Sequence, residues 1–127
     1  MKAQVAIEFM LIFGVFLLGI TIVALAAWNN IANAEKSSMD FEARRILNLI
    51  SGRINAVYLE GHGFSIGLAV PEKIGTSDYA ISIEKNTLWL ELNGVSYTNK
   101  LLASNITGSV KKGENTLTNV NGVVVLS

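Results

Sequence analysis

The sequence predicts an α+β fold, with one long N-terminal α-helix over about residues 4–58 packed on a small antiparallel β-sheet or sandwich. Three observations carry that expectation. An uncharged run opens the chain, a helical period continues past it without a proline as far as residue 60, and alternation with a period of two replaces both afterwards.

From Phe9 to Trp28 the chain reads FMLIFGVFLLGITIVALAAW, 20 residues without a charge. At about 1.5 Å of rise per residue this run spans roughly 30 Å, the thickness of a bilayer hydrocarbon core. Large apolar side chains occupy every side of each turn, so the segment needs lipid or protein around its whole circumference. A cleaved secretory signal fits poorly. The apolar stretch exceeds the usual length, and Lys2 is the only charge ahead of Glu8.

After Trp28 the composition turns polar, with Asn29, Asn30, Asn33, Glu35, Lys36, Ser37, Ser38 and Asp40 close together. The helical period survives. Met39, Ala43, Ile46, Ile50, Ile54 and Val57 recur at steps of three and four, with Phe41, Leu47 and Leu49 beside that stripe. Gly14, Gly19 and Gly52 each weaken a helix by only about 1 kcal/mol. The expectation is one helix whose first part, residues 4–28, needs an apolar environment and whose second part, residues 29–60, is amphipathic.

Residues 61–127 read as strands. Phe64, Ile66, Leu68 and Val70 alternate with small or polar residues up to Pro71; Tyr79, Ile81 and Ile83 repeat the pattern, as do Leu88, Leu90 and Leu92 after a turn at Lys85-Asn86. Asn93-Gly94 and Asn121-Gly122 are hairpin turn signals. Further short strands are expected near Ile106–Val110, near Leu117 and at Val123–Leu126. Six or seven strands imply an antiparallel sheet or small sandwich. So small a β domain is marginal by itself, and the stripe from Met39 to Val57 is suited to cover one face of it.

Ten basic against ten acidic residues leave no net charge, which argues against nucleic-acid binding, as does the small size of the Lys111-Lys112 patch. Cysteine is absent, so thiolate metal sites and thiol catalysis are excluded. His62 stands alone between two glycines, where a solvated turn residue is the expected role, and no metal site, cofactor or nucleophile motif is discernible. An enzyme is not expected. Asn105-Ile106-Thr107 is the N-glycosylation acceptor pattern, which makes Asn105 the candidate modification site.

Glu8 is the anomaly. An ionised carboxylate beside a hydrocarbon-seeking run costs a few kcal/mol unless it meets water or a cation. The surrounding residues, Lys2-Ala3-Gln4-Val5-Ala6-Ile7-Glu8-Phe9, resemble the class III signal peptide of archaeal type IV pilins, a Gln-x-Ser-x-Glu-Phe pattern preceded by a basic and a small residue. Gln4, Glu8 and Phe9 match, and Ala6 stands where the family usually has serine.

The resemblance implies a pilin-like fold and a prepilin peptidase that cuts between Ala3 and Gln4, removing residues 1–3 as a leader, with Lys2, Ala3 and Gln4 as processing positions. It implies assembly through Gln4, Glu8 and Phe9 with Phe13, Gly14, Leu17, Gly19 and Ile22 in a filament core. The partners would be the membrane before assembly, identical subunits afterwards, and the pilus assembly machinery; the destination would be an extracellular adhesive filament. A monomeric, single-pass, membrane-anchored extracellular binding protein is the alternative.

Overall fold

The computed structural model describes all 127 residues as one helix, α1 (Lys2–Glu60), followed by seven strands, β1 (Ser65–Val70), β2 (Tyr79–Glu84), β3 (Thr87–Leu92), β4 (Val95–Lys100), β5 (Ile106–Thr107), β6 (Gly113–Val120) and β7 (Val123–Leu126). The α+β expectation holds. The helix begins at Lys2 instead of near Gln4, so Lys2 and Ala3 are helical too. The chain divides into two compact units, Met1–Ser38 and Met39–Ser127.

In the first unit every residue is exposed. Thr21, its one hydroxyl residue within the apolar run, donates from Oγ1 to the Leu17 carbonyl at 2.8 Å. That bond satisfies the hydroxyl inside the helix, which suits it to a water-free environment.

In the second unit the helix buries Ala43, Ile46, Leu47, Ile50, Ser51, Ile54 and Val57 against the strands. Residues 43, 46, 50, 54 and 57 are at most 1% exposed. They meet Leu68, Leu88, Leu90, Leu117 and Val124 in a single core. The expected stripe is therefore the buried one, with two corrections: Phe41 is 71% exposed and Leu49 38% exposed. At 100° per residue Phe41 stands nearly opposite Ile50, on the face turned away from the sheets. Met39 is half-buried at the margin of the core.

A polar line of residues, Asp40, Arg44, Asn48, Ser51 and Asn55, flanks the apolar stripe and bonds to β4 and the segment after it. Tyr97 donates its hydroxyl to Asp40 Oδ1, and the Arg44 guanidinium lies 5.5 Å from the centre of the Tyr97 ring. Asn99 donates to Asn48 Oδ1 at 3.0 Å and Ser51 Oγ at 2.8 Å, while Asn55 Oδ1 accepts from the Leu102 amide at 2.9 Å. These bonds fix the helix along an edge strand and so blunt one free sheet edge.

The strands form a three-stranded antiparallel sheet, β2-β3-β4, and a four-stranded sheet in the order β1-β6-β7-β5. The two hairpins anticipated at Asn-Gly turns are present, with positive φ at Asn93, Gly94, Asn121 and Gly122. The second sheet corrects the antiparallel expectation. Strand β5 runs parallel to β7, because it reaches the sheet through a crossing connection from β4 and not through a hairpin. It also stops at Thr107 instead of reaching Val110. Gly108 has φ +95°, and a Cβ there would collide with the Leu126 carbonyl, so the chain turns off the sheet at that point.

The end of α1 is held by a residue that sequence periodicity did not single out. Gly61, at φ +90°, ends the helix. Asn119, fully buried in β6, donates its amide to the Val57 and Tyr58 carbonyls at 3.0 and 3.2 Å and accepts from the Gly122 amide at 2.9 Å. The last carbonyls of a helix lack partners within it, so this side chain closes the helix end and the β6–β7 turn together. Asn119→Ala is expected to lower unfolding free energy by about 3 kcal/mol, because it leaves buried polar groups unmatched; urea unfolding of the variant checks this.

Two tyrosines make the second unit sensitive to alkali. Hydrogen bonding to Asp40, then burial, holds the Tyr97 hydroxyl above the usual tyrosine range, and burial does the same for Tyr79. In the unfolded chain both ionise near pH 10. Their contribution is therefore complete below about pH 10 and is lost as pH rises through the higher folded values. Urea midpoints at pH 8 and pH 11 should fall further for the wild type than for Tyr97→Phe.

Candidate functional site

The processing and assembly candidates of the sequence, Lys2 to Ile22, lie on the surface of the first unit. Helix α1 is long and apolar enough to cross a membrane, with a mean hydropathy of 2.8 over its most apolar 18 residues, none of them buried. Phe9, Met10, Leu11, Ile12, Val15, Phe16, Leu18, Ile22, Val23 and Leu25 are each more than 60% exposed. Burial of an exposed large apolar side chain is worth about 1.5–3 kcal/mol. Fourteen large apolar side chains within a run of 20 residues demand a cover.

The helical backbone orders the candidates into faces. Gln4 and Glu8 are four residues apart, so they share a face, with Val15, Gly19 and Ile22 continuing it. Phe9 and Phe13 stand on the far side of the helix from Gln4, their rings parallel with centroids 6.2 Å apart. Leu17 is 48% exposed and its carbonyl takes the Thr21 hydroxyl. Nothing lies within 4 Å of a Cβ added at Gly14 or Gly19. Val15, Phe16, Ile20 and Val23, with the small residues Gly19, Ala24 and Ala27, line an open apolar concavity of about 610 Å³. Close approach of a second helix uses small residues in this way.

Glu8 is exposed and takes part in neither of the ion pairs of the chain, Asp40–Arg44 at 3.6 Å and Glu42–Arg45 at 2.6 Å. Lys2, at i−6, stands on a different face, about 120° around the helix. Lys2, Ala3 and Gln4 are exposed in the first turns, where the Val5 amide reaches the Met1 carbonyl at 3.3 Å.

Elsewhere the candidates separate. Asn105 and Thr107 are exposed, with Asn105 just ahead of β5 and its carbonyl accepting from the Val124 amide at 3.1 Å. The acceptor nitrogen of that side chain is thus presented on a backbone fixed by the sheet. His62 is exposed but not merely solvated, since its Nδ1 accepts from the Asn121 amide at 3.0 Å; it ties the helix exit to the β6–β7 turn. No group of three or more metal-ligating side chains occurs.

Sequence reasoning did not place two exposed apolar side chains on the amphipathic half of α1. Phe41 and Leu59, 71% and 68% exposed, occupy the same helix face eighteen residues apart, with Gly52 between them. They stand singly among polar residues, because Arg45, Asn48 and Asn55 lie on the same side of the helix between them. Comparison with protein-family models, with curated proteins and with solved structures found no match, so the functional reading rests on the chain's own residues.

Proposed function

We propose that this chain is a structural subunit of an archaeal type IV pilus, which polymerises through α1 into an extracellular filament used for attachment. The supporting observation is a helix whose first 37 residues, Lys2–Ser38, bury nothing within the chain, although 20 of them form an uncharged apolar run bordered by an unpaired carboxylate.

Lipid covers that run in the precursor, and equivalent helices of other copies cover it in the filament; both environments are apolar, so exchange between them is nearly balanced. Direction comes from Glu8. In the bilayer its carboxylate is costly, whereas in a polymer the free amine of a neighbouring Gln4, released by cleavage after Ala3, neutralises it. A head-to-tail contact of this kind does not close on itself and generates an open helical polymer. The β unit, with its polar outer residues and Asn105, faces solvent.

A helix that spans lipid needs no unpaired carboxylate of this kind, and this point favours the filament over a permanent single-pass anchor. The test is the mass of the mature N-terminus of the protein recovered from cells. A chain beginning at Gln4 supports processing as a pilin; an N-terminus retaining Lys2 and Ala3 overturns it.

A further inference from the structure

The outer face of the three-stranded sheet holds a feature that neither packing nor polymerisation uses. Tyr79, Leu88, Leu90, Leu92 and Tyr97 point into the core, and the intervening residues of the same strands point out. Among these stands Trp89, 39% exposed, on the central strand β3. Its neighbours directly across are short and hydroxylated, Ser82 on β2 and Thr98 on β4. In the next outward-facing row Glu91 is flanked by Ala80 and Ser96. Beside the ring, the short side chains Ala80, Ser82 and Ser96 together with Glu84 and Glu91 line a trough of about 200 Å³. Glu84 and Glu91 form no ion pair.

From this arrangement we infer that the trough is a binding site for a neutral hexopyranose. One face of a pyranose ring carries several C–H bonds and lies against an aromatic ring, whose π-face is electron-rich. The rim of the same sugar is a circle of hydroxyls that donate to carboxylates and exchange hydrogen bonds with serine and threonine. A single exposed indole with two free carboxylates and small hydroxyl residues beside it supplies both. The carboxylates also set specificity, since they repel uronic and other acidic sugars. A methylated ammonium group would require several aromatic rings around it, and the trough has one. The inference does not depend on assembly, because the site is the same on a filament subunit and on an anchored monomer.

The test uses the full chain in phosphatidylcholine nanodiscs, free of sugar-based detergent, with methyl β-glucopyranoside, methyl β-galactopyranoside, methyl α-mannopyranoside and glucuronate as probes. Binding is read by saturation-transfer NMR and, in a Trp28→Phe background, by Trp89 emission. At least one neutral glycoside should bind saturably with Kd on the order of 1 mM, shift the Trp89 emission and exceed glucuronate. Trp89→Ala should weaken it about tenfold, the weight of one aromatic stacking contact, while Trp89→Phe retains part of the affinity. Because Trp89 points outward, both variants should keep the wild-type circular dichroism spectrum; if Trp89→Ala misfolds, Trp89→Phe and Glu91→Gln carry the comparison. Three results overturn the inference: no saturable binding of any neutral glycoside, binding undiminished by loss of the indole, or preference for glucuronate.

Discussion

Glu8→Lys is expected to reduce filaments in sheared cell-surface material by at least about tenfold while the same amount of protein enters the membrane. The two outcomes separate because they rest on different residues. Insertion depends on the apolar run from Phe9 to Trp28, which the substitution leaves intact and which is long enough to span a bilayer. Assembly, as proposed, depends on neutralising the Glu8 carboxylate with the amine of Gln4 in another copy. The two groups are four residues apart, about 6 Å along a helix axis, so pairing between parallel helices also sets their axial offset.

Lysine places two cations where one ion pair stood, and removal of one member of a buried pair costs about 3–5 kcal/mol. Glu8→Gln removes the attraction without adding repulsion, and its filament yield should lie between lysine and wild type. Quantifying the chain in sheared and membrane fractions tests this. Wild-type yield from Glu8→Lys would eliminate the pairing.

The second large effect concerns the amphipathic half of α1. Residues 29–127 should unfold in one cooperative thermal transition, whereas residues 61–127 should show none or one at far lower temperature. Ile46, Ile50, Ile54 and Val57 are each at most 1% exposed, and all four pack among residues of both sheets. At about 1.5–3 kcal/mol apiece their burial amounts to ~10 kcal/mol, similar to the whole stability of an ordinary small domain, about 5–15 kcal/mol. Their loss also exposes Leu68, Leu88, Leu90 and Leu117 to water and leaves the Asn119 amide without its two carbonyl partners. Circular dichroism of the two chains decides the matter, and equal midpoints would show that the helix is not part of the core.

Much of the fold was legible because it follows from two periods. A step of three to four from Ala43 to Val57 and a step of two from Phe64 to Val70 both mark inward faces; the first is buried in the structure, and on the second Leu68 and Val70 are buried while Phe64 and Ile66 are half-buried. The Asn-Gly turns were legible because few residues accept positive φ twice in succession. Phe41 was misplaced because the angular difference between 41 and 43, about 200°, is lost when the stripe is read as a band.

Asn119 was illegible for a different reason. In the alternation Asn115, Leu117, Asn119 the inward positions include polar residues, a pattern that ordinarily marks a solvated strand. Only their partners, backbone groups of α1, of the turn after β6 and of the loop before it, make burial affordable. The buried loop residues Ile74, Ala103 and Val110 have no period to reveal them. The apolar run from Phe9 to Trp28 was legible for the opposite reason: its residues are exposed within a single chain, so no tertiary contact modifies what the sequence displays.

The most direct test of the central claim, that an apolar helix exchanges lipid for copies of itself, is a cryo-electron microscopy reconstruction of filaments sheared from the cell surface. The account predicts fibres built from this chain, with Phe9 to Trp28 of adjacent copies packed together around the axis and every β unit outside. Fibres in which those residues face water, or surface preparations in which the chain occurs only in membranes, would contradict it.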